Sequence, residues 1–545
     1  MTQIPTTQHA IQYVGKDQIV HNTSKPVDPV GPTQLLLKVE ACGICFSDTK
    51  LLHQFDEHPR KVKVIAGLTP EELAEVPSYA PGAEPTVPGH EPVCRVVAVG
   101  SDVQHYAVGD RVLVQADWKH MRTPTSNGSF GYSFEGALQE YVVVDERITW
   151  RDGEDFLIRV SEGPTSAQVG LIEPWATVEN AYAWKERQTR KAGGDLLVVA
   201  EAGASVPSLT AGPRPGTAVV VGASAEALGV AAEAAASVED LTGRQFDDIL
   251  YFGTDAGTIE KLGELLGTKG VLAVMLGGGS INRRVSVDMG RIHYDFIRFV
   301  GTTGTDPDAA YARIPVGTEV RDDDRMLVIG AAGPMGLMHT MRAVVLGKSG
   351  LSIDCSDVSD DRLAHLAEVV GPVAETRGVP VRFINSTSEA LEGGYTYVTV
   401  MVPSTALLAQ GVDLAGEGAI VNLFAGLPAG THGDVDFQGM IERGVFLAGT
   451  SGSDIADMRT VLNKIENGDY DTSISLDAVT GMVGFADAIQ SVMDRTSGGK
   501  IMVYPTLPDL PLIRLVDMPE KLPAVAAKLR DGIWTREAEE ELLKS

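Results

Sequence analysis

The chain has 545 residues, with 45 Lys and Arg against 73 Asp and Glu, and carries a formal net charge of −28 at pH 7. An acidic excess of this size repels a phosphate backbone, and no basic run overrides it, so nucleic acid is not an expected partner. With 44% hydrophobic residues the chain can bury a large multidomain core, which excludes a small disulfide-held scaffold.

The opening MTQIPTTQHAIQYVGKDQ has neither the basic nor the apolar region of a secretory signal, and no stretch nears the roughly 18 consecutive apolar residues of a membrane span, so the expected location is the cytoplasm. Residues 1–190 read as a β-rich domain, its strand-like runs QLLLKVEAC, PVCRVVAVG, RVLVQAD and LQEYVVV broken by Gly and Pro. Four cysteines, Cys42, Cys45, Cys94 and Cys355, are too few for a disulfide framework and are expected as reduced thiols, for packing or for metal.

From about Gly193 the texture changes to apolar runs followed by helical patterns, as in DLLVVA, TAVVVGA, DDILYFG, RMLVIGAAGPMG, LSIDCSD and GAIVNLFAG. This alternation predicts parallel sheets covered on both faces. An internal repeat lies within it. An offset of 148 residues places Phe246 on Gly394, Gly278 on Gly426, Asp288 on Asp436, Gly301 on Gly449, and GTTGTD on GTSGSD. Two tandem Rossmann-like copies are therefore expected, at 191–322 and 323–455.

In the second copy, RMLVI runs into Gly330, Ala331, Ala332, Gly333, Pro334, Met335 and Gly336 and then into a helical stretch. This strand, turn and helix order is what a dinucleotide pyrophosphate requires: glycines admit the backbone and the helix N-terminus supplies N–H donors. Ala331 in place of the first glycine is a mild departure. Asp357, at the end of LSIDCSD, is placed to accept from the adenosine ribose and favours NAD over NADP. The first copy carries Glu201, Gly203 and Val206 at the loop and Gly222 at the place of Asp357, so it is expected to be degenerate and structural. Beyond Thr450, SISLDAVTGMVGFADAIQSVMDRTSGGKIMVYP predicts strands and a helix within 456–545 that return to the first domain, ahead of a Pro-rich and then helical tail.

Three segments of the β-rich part hold metal-ligand chemistry: Cys42-Gly-Ile-Cys45-Phe-Ser47-Asp48-Thr-Lys50, Pro88-Gly89-His90-Glu91-Pro92, and Leu171-Ile-Glu173-Pro174-Trp175. Thiolate, imidazole and carboxylate together suit a catalytic zinc with one open position. Aromatic residues near domain seams, Tyr132, Phe134, Trp175 and Tyr182, are candidates for either core or pocket.

In their order and spacing these motifs resemble those of a zinc-dependent medium-chain dehydrogenase/reductase of the alcohol and sorbitol dehydrogenase type. CGICFSD, PGHE followed by PVCRVVAVGSDVQHYAVGDRV, GALQEYVVV, EPWATVENAY and VIGAAGPMGL…DVSDDRL carry the likeness; ICFSDTK, FAGLPAG and GTSGSD point to its sugar and polyol branch, notably L-sorbose 1-phosphate reductase-like proteins. The resemblance implies a GroES-like catalytic domain with a Rossmann cofactor domain, here preceded by an additional degenerate Rossmann copy that ordinary members lack. It implies Cys45 and His90 as zinc ligands, Glu91 or Glu173 as the third, Ser47 in proton transfer, and Asp48 orienting the ligands. Lys50 would end a proton relay or meet a substrate phosphate, and Arg362 of DVSDDRL joins the cofactor set. One catalytic zinc and no structural zinc are implied, since LVQADWKHMRTPTSNGSFGYSF lacks the four cysteines of many relatives. The expected reaction moves a hydride between NAD(H) and a secondary alcohol or ketone of a sugar, polyol or sugar phosphate. Because family members commonly pair through their cofactor domains, the tandem copies are expected to imitate such a dimer within one chain, alone or inside a homo-oligomer. The rival readings are a zinc-free quinone or enone reductase of the same superfamily and a non-catalytic dinucleotide sensor.

Overall fold

The computed structural model describes residues 4–450 and 452–544; Ser451, within GTSGSD, lies outside the described residues, as do residues 1–3 and 545. By contact the chain divides into two compact units, residues 1–177 with 453–545, and residues 178–452.

The first unit is built around an eight-stranded sheet, with smaller two-stranded sheets beside it. Its N-terminal part supplies β1 (Gln34–Ile44), α1 (Phe46–Gln54), β2 (Glu91–Val99), β3 (Arg111–Val114), β4 (Tyr141–Asp145), β5 (Leu157–Arg159) and α2 (Ser166–Gly170). β1 is almost wholly buried, as expected of a central strand whose apolar run does not alternate. The next helix, α3 (Ile172–Ala183), crosses from one unit into the other. The boundary thus falls inside this helix rather than near residue 190. The reason is packing: Glu179 and Tyr182, on its last two turns, bind Arg342 and His339 of the second unit.

The second unit holds both Rossmann-like copies. The first is β6 (Asp195–Ala200), β7 (Thr217–Val221), β8 (Glu233–Ala234), β9 (Phe246–Phe252), α4 (Ala256–Glu264), β10 (Leu266–Met275), β11 (Val285–Asp288) and β12 (Arg298–Thr302). The second is β13 (Arg325–Ile329), α5 (Pro334–Leu346), β14 (Ser352–Asp357), α6 (Asp360–Arg377), β15 (Val381–Asn385), β16 (Tyr395–Val400), α7 (Thr405–Leu414), β17 (Ala415–Leu423), β18 (His432–Val435) and β19 (Phe446–Gly449). The sheets run β8-β7-β6-β9-β10-β12 and β15-β14-β13-β16-β17-β19, so one topology occurs twice, and all their pairings are parallel. One expectation fails. DLLVVA is not followed by a helix, and only a four-residue turn, Ala225–Leu228, follows TAVVVGA. Three prolines, Pro207, Pro213 and Pro215, lie between β6 and β7, and proline removes the donors and blocks the backbone geometry that a helix needs.

The copies face each other across a pseudo-twofold axis. β11 pairs antiparallel with β18, and the pair Ser286–Asp434 joins the two residues that the 148-residue offset makes equivalent. Away from the axis the contacts come in matched sets. A Cβ on Gly301 would lie 2.6 Å from Ile441, and one on Gly449 would lie 3.0 Å from His293; the same offset relates Gly301 to Gly449 and His293 to Ile441. Leu197, Phe299, Leu327 and Phe437 belong to one continuous core. The segments 191–322 and 323–455 are therefore one body, not two.

The chain then returns to the first unit as β20 (Leu476–Thr480), α8 (Phe485–Met493), β21 (Lys500–Val503) and β22 (Ile513–Arg514), and ends in α9 (Arg536–Leu542). The completed sheet runs β5-β3-β2-β1-β21-β20-β22, with β4 also on β1. The tail is tied down by Glu539, only 6% exposed, which accepts from the amides of Ser166 (2.7 Å) and Ala167 (2.9 Å) and from the Tyr504 hydroxyl (2.7 Å). Those amides open α2, where a helix has no partners of its own.

Glu539→Ala leaves three buried donors unpaired. It is expected to destabilise the unit that contains it by roughly 1–3 kcal/mol, read as an earlier urea midpoint by tryptophan fluorescence; an unchanged midpoint would show that the tail does not secure α2.

Candidate functional site

Sheet register explains why distant motifs meet. β1 pairs antiparallel with β2 so that Gly43 stands opposite Glu91, and with β21 so that Gly43 stands opposite Met502. A Cβ at position 43 would lie 2.2 Å from Glu91 Oε2, so the glycine of CGIC makes room for the carboxylate. Just past β1 the chain turns into α1, whose N-cap is Cys45 and whose third residue, Asp48, accepts from the Cys45 amide at 2.9 Å. This local capping fixes Cys45, Ser47 and Asp48 together.

Potential ligand atoms of Cys45, His90 and Glu91 all lie within 4.8 Å of one another. His90 Nε2 is 3.1 Å from Ser47 Oγ, and His90 Nδ1 is 3.2 Å from Asp48 Oδ1 without the alignment of a hydrogen bond. Glu91, fully buried, places Oε1 2.6 Å from the buried Lys500 Nζ. Glu91 Oε2, Asp48 Oδ1 and His90 Nδ1 are buried without a hydrogen bond. Of these, Asp48 Oδ1 and His90 Nδ1 face each other, and Glu91 Oε2 is left without a hydrogen bond; such buried polar atoms are costly in a protein interior. Together with a thiol, an imidazole and a carboxylate in reach of one point, they fit a zinc ion.

Glu173 lies in the first turn of α3, half-buried and outside this group of three. Burial, and then the charge of Glu91, pushes its carboxyl up to about 7. Lys500, which sequence reasoning missed, comes from β21. Burial works against its charge, but Glu91, Cys45 and Glu173 outweigh that and raise its pKa. Nothing local in SGGKIMV marks it.

Of the four candidate aromatics, Tyr132 reaches the site, with its ring centroid 5.6 Å from that of His90. Phe134 packs edge-on against Trp118, Trp175 donates to Ser475 Oγ, and Tyr182 hydrogen-bonds His339. Cys42, Cys94 and Cys355 are buried free thiols whose pKa burial raises. Lys50 is exposed, its ammonium 5.9 Å from the Phe46 ring.

In the second unit, the chain after β13 makes a tight loop. Gly330 has φ of 80°, and the amides of Gly330 and Ala331 both donate to Ser356 O. Gly333 is the N-cap of α5 and Pro334 its first residue, with no side chain capping the helix. A Cβ on Gly336 would lie 2.5 Å from the carbonyl oxygens of both Gly330 and Ala331. This close packing, followed by a 13-residue helix with open N–H groups, is a cradle that fits a pyrophosphate. Asp357 is buried at the end of β14, accepting from the amides of Ala332 (3.2 Å) and Val358 (2.8 Å) and from Arg362. In the first copy the cradle is absent. Glu201 fills the loop region and accepts from Tyr251 Oη and from the amides of Thr254 and Asp255, and a Cβ on Gly222 would lie 2.1 Å from Ala200 O.

Residues 31–151 match the model of the alcohol dehydrogenase GroES-like domain. The chain is 27% identical over 250 residues to a mannitol-1-phosphate 5-dehydrogenase of Aliivibrio fischeri, covering 41% of this chain and 57% of that one. It is 35% identical over 146 residues to a D-altritol 5-dehydrogenase of Agrobacterium fabrum, covering 25% and 36%. It is 26% identical over 238 residues to an L-sorbose 1-phosphate reductase of Klebsiella pneumoniae, covering 41% and 56%. The chain thus spans about half the length or less of these curated relatives. In fold it is similar to the 2R,3R-butanediol dehydrogenase of Bacillus subtilis (TM-score 0.52, 15% identity, covering 92% of this chain and all of that one). It is also similar to a zinc-binding dehydrogenase of Sinorhizobium meliloti bound to NADP (TM-score 0.50, 15% identity, the same coverage). The resemblance to zinc-type medium-chain alcohol and polyol dehydrogenases therefore holds for the matched catalytic domain and for the fold. Among the described residues no helix is long and apolar enough to cross a membrane.

His339, buried on α5, has its pKa lowered from 6.5 to about 3 by burial and then by Arg342. An unfolded histidine binds its proton near pH 6.5, so between 6.5 and 3 the unfolded state holds more protons and stability is lost as pH falls. In His339→Phe this acid loss is expected to be shallower by up to about 1.4 kcal/mol per pH unit, measured as urea midpoints across that window; equal slopes would refute the assignment.

Proposed function

We propose that the chain is a zinc-dependent oxidoreductase that transfers a hydride between NAD(H) and a secondary alcohol or ketone of a sugar, polyol or sugar phosphate. The observation that carries this reading is the group Cys45, His90 and Glu91, in which Glu91 Oε2 is buried without a hydrogen bond. The printed activities of its relatives, a mannitol-1-phosphate 5-dehydrogenase, a D-altritol 5-dehydrogenase and an L-sorbose 1-phosphate reductase, support the substrate class. Their partial coverage makes it a reading of this chain's own residues.

Cys45 and His90 would hold the metal, with Glu91 as the third protein ligand. When bound, the zinc supplies a Lewis acid that favours the alkoxide form of the alcohol, and the nicotinamide supplies the hydride acceptor. The protein's own groups do the rest. Ser47 Oγ, half-exposed beside His90, carries the alcohol proton toward solvent. Asp48 restrains the Cys45 backbone and faces His90 Nδ1, setting the ring's orientation, as groups beside metal ligands do. Lys500 balances the charge of buried Glu91. Gly330, Ala331, Ala332, Gly333, Pro334, Met335 and Gly336 would cradle the pyrophosphate. Asp357, with Arg362 beside it, would accept from the ribose and repel a 2′-phosphate, favouring NAD.

Metal analysis of the purified protein is expected to find about one zinc per chain, lost in Cys45→Ala together with at least roughly a hundredfold of kcat on a polyol and sugar phosphate panel. Well-folded protein without zinc would remove this mechanism and favour the zinc-free reductase or the sensor. Asp357→Ala is expected to weaken NAD about tenfold and to narrow the gap to NADP, read by cofactor titration; an unchanged preference would place discrimination elsewhere.

A further inference from the structure

Beside the metal-ligand group the first unit gathers cations, against the trend of a chain whose net charge is −28. α1 presents Lys50 one turn beyond Ser47, and the segment after it carries His58 and Arg60. His58 and Arg60 meet at Tyr132. The Arg60 guanidinium lies 5.6 Å from the Tyr132 ring centroid, the His58 ring 5.0 Å and the His90 ring 5.6 Å. One aromatic ring thus touches both the candidate metal ligand and the basic pair.

Each group is equipped to donate. Arg60 keeps 36% of its side chain exposed, and Asp117, at 3.7 Å, is among its partners. Lys50 is exposed and has no ion-pair partner among the described residues. His58 is nearly buried, and its Nδ1 accepts from the Arg60 amide at 3.2 Å, which leaves the proton of the neutral ring on Nε2 as a donor. Burial, and then Arg60, Lys50 and His90, lowers its pKa to about 4.

We propose that Lys50, His58 and Arg60 form an anion subsite beside Tyr132, and that the substrate is a phosphate monoester of a sugar or polyol whose phosphate is held there. The proposal rests on the dehydrogenase reading for the rest of the substrate. Phosphate is favoured over carboxylate because a monoester carries nearly two charges at pH 7 and three terminal oxygens, matching two cations and three donors. A carboxylate offers one charge and two oxygens.

The test compares wild type, Arg60→Gln and Lys50→Gln on a hexitol, its terminal monophosphate and the corresponding hexonate, with zinc content as a check on the fold. The wild type is expected to prefer the monophosphate by at least roughly tenfold in kcat/KM, and each variant to lose about tenfold of that preference, mainly through KM. Arg60→Lys should restore part of it. Equal use of hexitol and monophosphate, a preference untouched by the variants, or a preference for the hexonate overturns the proposal. Calorimetric titration with inorganic phosphate separates this failure from that of the dehydrogenase reading. Binding that Arg60→Gln abolishes supports the subsite even if no alcohol is turned over; absent binding, or binding that survives the variant, overturns it.

Discussion

Burying a carboxylate as completely as Glu91 is costly unless a cation lies beside it, and in this chain Lys500 lies at 2.6 Å. The pair lies 409 residues apart in sequence. It forms because β1 accepts β2 on one side and β21 on the other, in registers that bring both side chains to the same end of the sheet. A buried pair of this kind is weak as a source of stability, yet removal of either member leaves an uncompensated charge. The first unit therefore cannot be completed until the chain has passed through both Rossmann-like copies and returned. The same return delivers Glu539 to the first turn of α2, immediately ahead of the helix that carries Glu173.

The duplicated region answers a different constraint. Each six-stranded sheet ends on an edge, β12 in one copy and β19 in the other, and open edges invite unwanted pairing. Here the two edges approach each other about a pseudo-twofold axis. Arg298 of β12 donates to the Gly449 carbonyl of β19 at 3.0 Å. The first copy has lost the helix that would cradle a pyrophosphate and has filled the loop with Glu201, but it retains β9 to β12, the half that meets its partner. The surface that builds the shared core is present in both copies, while the tight glycine loop is formed in the second alone among the described residues.

Much of the site is legible in the sequence, for identifiable reasons. The glycine loop 330–336 announces itself because strand, turn and helix are local, and Gly336 has no room for a Cβ whatever surrounds it. Cys45, Ser47 and Asp48 lie within four residues, so one cap positions them all. The choice between Glu91 and Glu173 is not local: the geometry brings Glu91 within reach of Cys45 and His90 and leaves Glu173 outside. Tyr132, Arg60 and Lys500 carry no motif, and their importance arises only from what folding places next to them. The absent helix after β6 had its signal in Pro207, Pro213 and Pro215, which the apolar pattern of DLLVVA obscured.

The amino-acid sequence by itself determined the fold class, the repeat, which copy carries the glycine loop and the candidate ligand types, because periodicity, glycine placement and donor chemistry are properties of short segments. Only the tertiary structure decided that the two copies form one body on a pseudo-twofold axis, that Lys500 neutralises Glu91, and that Tyr132 joins the ligand group to Arg60 and His58. Each of these depends on strand register or on the packing of segments far apart in the chain, and such long-range choices are settled by the shared burial of whole faces, which no short segment encodes alone.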